Sequence, residues 1–355
     1  MAVLTWSVST VINVEDTMPA IRTPRVALRH DDVTGMQAVI AIDDTTLGPA
    51  LGGVRWMPYP DMDAAVTEAC RLARGMTLKN ALAELPYGGA KSVILSQDGE
   101  ANRASVLRAF GRLVAELDGT YIPGVDMGTT IEDLAVIGTV APDVACDRTD
   151  PSPWTALGVF CGIAAAVRHL DHTDLAGHRV VIQGAGHVGA SLAQRLADAG
   201  AEVVVCDIDR ARSERIAASV GGRSVAPEEV LGVACDVLAP CAQARVITTA
   251  TVPNLGCRIV AGAANDMLSE RSCADKLAGM GITYVPDFLL NAGGVIHIHA
   301  IRSGWDHARL EEVVMGIGDR TGEVLERAEA AGRTPLDVAE ELADERLGHP
   351  VSVPL

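Results

Sequence analysis

Rings are scarce in this sequence, with three Phe, four Tyr and four Trp among 355 residues. Glycine, in contrast, occurs 35 times, and 48% of residues are hydrophobic. That balance fits an α/β protein with close helix–sheet packing and argues against an all-β or disordered chain. Basic residues are also few, 29 Lys and Arg against 46 Asp and Glu, for a net charge of −17. The acidic residues are scattered, as on a solvated surface, and no basic stripe offsets them. A polyanion would be repelled, so nucleic acid is excluded as a partner. No apolar run is long enough to cross a bilayer, and residues 1–16 lack the basic start of a signal peptide. The expectation is a cytoplasmic protein with no membrane partner. There is no C-x-x-C pair among the eight cysteines, and several stand inside apolar runs such as VVVCD and LAPCA. They read as free thiols in a reducing compartment. No repeat or low-complexity segment is visible.

What is present suffices for two domains, with a boundary near residue 150. In the first half MQAVIAI (36–42) reads as a strand, followed by the turn-rich LGPALGG. Asp63 is a plausible N-cap for a helix running to about Ala83. Pro86 and Gly88-Gly89 stop it, and KSVIL reads as the next strand. A helix over 105–117 precedes a loop, GTYIPGVDMGTT. After the polar DRTD and the PSP at 151–153, a helix is expected over 156–170. From Arg179 onward, RVVIQ, EVVVCD, CDVLAP, RIVAGA and ITYVPDFLL alternate with helical stretches, which predicts βαβ units and a parallel sheet. From about Asp319 two amphipathic helices run to near Leu347.

VVIQGAGHVG (180–189) holds Gly184-x-Gly186-x-x-Gly189 directly after an apolar strand. The first glycine permits the tight turn, the second lets backbone approach a pyrophosphate, and the third lets helix pack on strand. The backbone of His187, Val188 and Gly189 then supplies free N–H groups at a helix N-terminus. Asp207 ends the following strand. Its carboxylate suits the ribose hydroxyls of NAD and would repel the 2′-phosphate of NADP. The alternative is that Asp207 merely caps a turn.

Three polar residues of the first half stand in apolar or Gly-rich settings: Lys79 in GMTLKNA, Lys91 in LPYGGAKSVI and Asp126 in PGVDMGTT. Burying an unpaired charge there is expensive. A buried lysine beside a second cation has a lowered pKa, which suits a general base near neutral pH. A solvated lysine at a helix end is the plainer alternative, and spacing alone leaves both open. Arg55, after the double glycine, reads as a structural ion-pair partner. His297 and His299 in VIHIHA would share one side of a strand, but no third ligand accompanies them, so no metal site is expected.

LGPALGGVR, GMTLKNA, PYGGAKSVI, GVDMGTT, GAGHVG, LAPCA, AGAAND and PDFLLNAGGVIHI occur in the order found in the glutamate/leucine/phenylalanine/valine dehydrogenase family. The chain resembles that family over roughly residues 28–345. The resemblance implies an N-terminal substrate domain with a mixed sheet (1–150) and a C-terminal Rossmann NAD-binding domain (151–319). A cleft would lie between them, with helices of 320–355 packing back on the first. It implies that Lys79, helped by Asn291, binds the substrate α-carboxylate. Lys91 would activate the attacking water and Asp126 exchange protons with the amine. Backbone at Gly52 and Gly53 would line the pocket. Thr155 and Asn265 fall at nicotinamide and ribose contacts, and Ala239 and Pro240 where the cofactor passes the sheet edge. Leu51 stands where glutamate dehydrogenases carry a lysine for the γ-carboxylate. Gly124 matches phenylalanine dehydrogenases, whereas leucine dehydrogenases tend to carry alanine.

The implied activity is NAD-dependent, reversible oxidative deamination of an apolar L-amino acid to its 2-oxo acid, in an even-numbered homo-oligomer. Three departures from the family pattern are present: the short VACDRTDPSP segment, Gln243-Ala244 after LAPCA, and Asp266 in AAND. They leave room for a specialised biosynthetic member acting on a non-standard amino acid, or for a non-catalytic NAD-binding paralogue. A hydroxy-acid dehydrogenase is disfavoured, because no histidine stands in a comparable loop.

Overall fold

The computed structural model describes residues 24–95, 102–145 and 149–349. The N-terminal segment read for a signal peptide and Cys146 lie outside them. The chain divides into two compact units, Met1–Thr149 with Asp344–Leu355, and Asp150–Ala343.

The first unit runs β1 (Arg25–Asp31), β2 (Met36–Asp44), β3 (Ala50–Met57), α1 (Met62–Leu82), β4 (Gly88–Leu95), α2 (Arg103–Ala115), β5 (Tyr121–Val125) and α3 (Ile131–Gly138). Its sheet is mixed, in the order β1-β2-β4-β3-β5, with β1, β2 and β4 antiparallel and β4, β3 and β5 parallel. Alternation along β2 sends Met36, Ala38, Ile40 and Ile42 to one face, where they pack with Ile94, Phe110 and Leu134. Val39 and Ala41 go to the other, with Val93, against Ala65, Ala69 and Ala73 of α1. Small residues let α1 lie close on β4: a Cβ at Gly89 would stand 2.1 Å from the backbone N of Thr77.

Three local expectations are corrected. The α1 N-cap is Asp61, whose carboxylate accepts the Ala64 N–H at 2.8 Å, and Asp63 lies in the first turn. LGPALGG is not all turn, because ALGG opens β3. The loop GTYIPGVDMGTT contains β5, which pairs in parallel with β3. Both misreadings come from glycines inside strands. Glycine is unfavourable in a strand unless another backbone comes close. In β3 it does, since a Cβ at Gly52 would lie 1.7 Å from the Ala90 carbonyl oxygen, whereas at Gly124 of β5 only Ala145 Cβ lies near, at 3.8 Å.

The second unit comprises α4 (Ser152–Asp171), β6 (Arg179–Gln183), α5 (His187–Asp198), β7 (Glu202–Cys206), α6 (Arg210–Ser219), β8 (Arg223–Ser224), β9 (Val237–Pro240), β10 (Ile259–Val260), α7 (Ser272–Gly279), β11 (Thr283–Tyr284), α8 (Asp287–Leu290), α9 (Gly293–Arg302) and α10 (His307–Ala331). The strands form one parallel sheet in the order β11-β10-β9-β6-β7-β8, which places β6 and its glycine turn at the centre. VIHIHA falls in α9 rather than on a strand, and His297 is buried while His299 is half-buried.

The return of the C-terminus is narrower than 320–355. Helix α10 stays in the second unit along α4, where a Cβ at Gly158 would meet Ile317 Cδ1 at 2.6 Å. Helix α11 (Pro335–Arg346) leaves that unit at Asp344. Arg346 Nη1 donates to the carbonyls of Ala81 (3.1 Å) and Leu82 (2.8 Å), so it satisfies the end of α1. The seven described cysteines are free, and no described helix is long and apolar enough to cross a membrane.

Candidate active site

In β4, Gly89, Lys91 and Val93 share the face under α1, since alternate residues of a strand point the same way. Lys91 is only 7% exposed. Its Nζ lies 2.5 Å from Oδ2 of Asp126, the residue following β5. Glycines make room for this pair. A Cβ at Gly53 would stand 2.7 Å from Asp126 Cβ, and one at Gly128 (φ +79°) would stand 1.9 Å from the Trp56 carbonyl oxygen. Thr129 Oγ1 accepts the Asp126 N–H at 3.0 Å and donates to Val54 O at 2.8 Å, which locks the turn carrying the carboxylate.

Arg55 Nε also donates to Asp126 Oδ2, at 3.2 Å. Burial pushes the Asp126 carboxyl up, but Lys91 and Arg55 beside it outweigh that and hold it below the ordinary carboxylate value. Beneath the strands, buried Tyr121 donates to Gly52 O at 3.0 Å and lies 2.8 Å from Ser92 Oγ. Burial raises its phenol well above the ordinary value, so it stays neutral.

Lys79 stands in the last turn of α1, half-buried. Asn80 Nδ2 donates to Gly88 O at 2.6 Å and pins that helix end on β4. Thr77, two residues before Lys79 in the chain, lies over Gly89, two residues before Lys91. Leu51 is 2% exposed. Gly124 is buried, and a Cβ there would meet only Ala145 Cβ, at 3.8 Å.

In the second unit each glycine of the turn meets its own constraint. Gly184 has φ +109° with Ala242 Cβ 2.6 Å from where its Cβ would be, and a Cβ at Gly189 would stand 1.9 Å from Gly184 O. At Gly186 nothing lies within 4 Å, so open space faces the turn. Helix α5 has no side-chain N-cap, which leaves the backbone donors of His187, Val188 and Gly189 for an anion. Asp207 Oδ2 accepts the Ala185 N–H at 2.7 Å and Oδ1 the Asp209 N–H at 2.8 Å. It therefore braces the turn, while a carboxylate keeps further lone pairs for ribose hydroxyls. Arg212 Nη1 is 3.8 Å from Asp207 Oδ1. Open space, free donors and a buried carboxylate fit a dinucleotide.

Ala239 and Pro240 end β9 one strand away from β7 across β6, and Pro240 O accepts the Ala264 N–H at 2.9 Å. Thr155 lies in the first turn of α4, its Oγ1 donating to Pro151 O at 3.3 Å. Asn291 Nδ2 donates to Asn265 Oδ1 at 3.1 Å and Ala263 O at 3.0 Å, so both asparagines sit together in this unit. Asp266 adopts φ +51° and donates its N–H to Asp287. No cluster of three His, Cys, Asp or Glu able to hold a metal occurs among the described residues.

The sequence profile of the Glu/Leu/Phe/Val dehydrogenase dimerisation domain matches residues 21–141. That of the glutamate/leucine/phenylalanine/valine dehydrogenase domain matches 150–211 and 205–300. The chain belongs to this family. Leucine dehydrogenase of Bacillus subtilis (strain 168) is 39% identical over 333 residues, covering 90% of this chain and 89% of that protein. The crystal structure of L-tryptophan dehydrogenase from Nostoc punctiforme is 37% identical, with a TM-score of 0.81 over 91% of this chain and 95% of that one. Valine dehydrogenase of Streptomyces virginiae is 37% identical over 336 residues, 91% of this chain and 93% of the other. The two-domain architecture expected from the sequence, mixed sheet followed by Rossmann sheet, is that of these dehydrogenases.

Sequence reading missed the company Arg55 keeps. Its ion-pair partners are Asp126 itself and Glu68, at 3.2 and 2.8 Å. The signal was present, since Gly53 and Arg55 are two residues apart and face one side of a strand. It is readable only once that segment is assigned as a strand.

Proposed function

We propose that the protein catalyses NAD-dependent, reversible oxidative deamination of an apolar L-amino acid, giving the 2-oxo acid and ammonia. The carrying observation is the buried Lys91–Asp126 pair, 2.5 Å apart, on the sheet face that α1 covers, with Lys79 in the last turn of that helix. Lys79 would hold the substrate α-carboxylate by charge. Bound NAD⁺ would supply the hydride acceptor. The backbone donors of Gly184, Gly186, His187, Val188 and Gly189 would hold its pyrophosphate and Asp207 a ribose. Thr155, Asn265, Ala239 and Pro240 would line the remainder, with Asn291 positioning Asn265.

The first unit's residues would carry the proton transfers. After oxidation to the iminium, water polarised by Lys91 adds to the imine carbon and gives up a proton to the Lys91–Asp126 pair. The resulting carbinolamine takes a proton from the pair on its nitrogen, and as its hydroxyl proton passes back to the pair the C=O forms, the C–N bond breaks and ammonia leaves. A carboxylate held in contact with the lysine accepts and returns that proton, so one pair serves both directions. Names of relatives acting on leucine, valine and tryptophan support an apolar substrate. The negative Asp207 supports NAD over NADP, and the free thiols support the cytoplasm. An even-numbered homo-oligomer is expected, and light scattering showing a 37.0 kDa monomer at micromolar concentration would refute it. The activity test is NADH formation with a panel of L-amino acids at alkaline pH. Bound NAD without turnover of any of them would overturn the proposal.

A further inference from the structure

A row of alternating charges runs through the first unit from β4 to α1. Lys91 contacts Asp126 Oδ2 at 2.5 Å and Arg55 contacts the same oxygen at 3.2 Å. Arg55 Nη1 then meets Glu68 Oε1 at 2.8 Å, and Glu68 Oε2 takes Arg71 Nη2 and Nε at 2.7 and 3.2 Å. Arg55 and Asp126 are 12% and 16% exposed at the side chain, Glu68 19%. Exposed pairs of this kind contribute little, but partly buried ones are weakly screened.

We infer that Arg55 is a positioning residue for the proton-transfer pair: clamped by Glu68, it fixes Asp126 Oδ2 against Lys91 and biases that carboxyl to give its proton back. The inference rests on the dehydrogenase reading for its kinetic consequence only. Geometry explains why arginine stands here. The guanidinium spans two carboxylates on different elements, Nε to Asp126 and Nη1 to Glu68, which the single ammonium of lysine does less well. Strand β3 fixes the reach, with Gly53 one alternation earlier bringing backbone against Asp126 Cβ.

The charged and titratable neighbours agree with this role. Lys91 faces Asp126 from β4, Glu68 and Arg71 face Arg55 from α1, and Tyr59 bonds to Arg55 from the segment after β3. Tyr121 of β5 stays neutral near Asp126. Arg103 and Asp133 beyond the turn satisfy each other at 2.8 and 2.6 Å. Arg55 and Lys91 are thus the cations in contact with the carboxylate among the described residues, and both lower its pKa.

Removing a cation makes proton uptake by the pair easier, so the acid limb of the rate profile must move to higher pH. In Arg55→Gln, the acid limb of kcat/KM for amino-acid oxidation is expected to rise by about one pH unit or more. The plateau kcat should fall by about ten- to a hundredfold through loss of alignment, with NAD affinity unchanged. Arg55→Lys should restore the limb but only part of the plateau. An unmoved limb in Arg55→Gln, with lowered Tm alone, overturns the inference. A second measurement needs no turnover and so separates this failure from failure of the dehydrogenase reading. It is a double-mutant cycle of Arg55→Gln with Asp126→Asn by denaturant unfolding. Arg55→Gln should cost more stability in the presence of Asp126 than of Asn at pH 7. That difference should vanish as pH falls through the lowered Asp126 value. Equal costs in both backgrounds overturn the inference whatever the enzyme turns over.

Discussion

At the scale of the residue, the site depends on where single charges are buried. Lys91→Ala and Asp126→Asn should each lower kcat by about 10²–10⁴, with NAD affinity nearly unchanged because the glycine turn is untouched. Steady-state rates with cofactor titration check this, and near-wild-type kcat in either variant removes that residue from the chemistry. Lys79→Ala should also raise KM, since it deletes the charged partner of the α-carboxylate. Asp207 needs a gentler change than removal, because it braces Ala185 and Asp209 as well. Asp207→Asn keeps an acceptor for one backbone N–H and deletes the charge, so NADP⁺ should gain on NAD⁺ in kcat/KM. If the ratio is unchanged, Asp207 sets the turn and not the cofactor choice. Lys79, Lys91, Asp126 and Asp207 drew attention because each stands out against apolar or Gly-rich sequence, but for the lysines and Asp126 it was the family resemblance that implied a chemical role. Arg55 and Glu68 were not, since an arginine and a glutamate 13 residues apart show no sign of meeting until α1 folds over β3.

At the scale of the element, the parallel strands β6, β7, β9 and β10 of the second unit were legible. DFLL and VIHIHA after β11 instead form helices, and α10 begins at His307, ahead of the expected Asp319. The first unit was legible only in part. Short apolar runs separated by helical stretches betray parallel strands buried on both faces. Strands β3 and β5 hid because ALGG and YIPG look like turns. Crowding calls for glycine at Gly52 and Gly53 of β3, while Gly124 of β5 is not crowded. Helix α9 hid because VIHIHA alternates like a strand, while its surroundings made it a helix. Elements of the second unit are also tied by charge. Arg258, before β10, takes both oxygens of Asp171 at the end of α4 (2.8 and 2.7 Å) and reaches Asp236 before β9 (2.9 Å). Arg258 and, less strongly, His178 pull the Asp171 carboxyl down to about 2, outweighing the opposing effect of burial. A lowered carboxyl stabilises the fold above its unfolded value of about 3.9 and loses that contribution as pH falls through about 2. Asp171→Asn should therefore lower Tm by about 1–3 °C at pH 7. The gap should narrow as the pH of calorimetry drops from about 4 towards 2. A gap independent of pH would mean that packing, not the ion pair, is what the substitution disturbs.

At the scale of the whole molecule, the proposed reaction divides its labour along the chain, with proton-transfer groups in the first unit and the dinucleotide cradle in the second. On that proposal the choice of substrate would belong to the first unit, and two residues there argue it. Leu51 is 2% exposed on β3, paired with Gly89 and Ile122 on the neighbouring strands. A γ-carboxylate brought against it would be desolvated without a cation, at a cost of several kcal/mol. Glutamate should therefore be a poor substrate. On the same proposal Gly124 of β5 would set the size of side chain accepted. Because a Cβ there would meet only Ala145 Cβ at 3.8 Å, Gly124→Ala has room for its methyl and should leave Tm nearly unchanged. Its effect on catalysis then reports the pocket rather than the fold. With the methyl absent, the wild-type pocket should accept bulky apolar side chains, phenylalanine slightly ahead of leucine and valine. Adding it should shift kcat/KM from phenylalanine towards leucine by about 1–3 kcal/mol, or roughly 10- to 200-fold. Competing kcat/KM values for Phe, Leu, Val and Glu, in wild type and Gly124→Ala, make the measurement. Glutamate as the best wild-type substrate would refute the argument from Leu51. A Phe-to-Leu ratio indifferent to the methyl would take Gly124 out of the pocket.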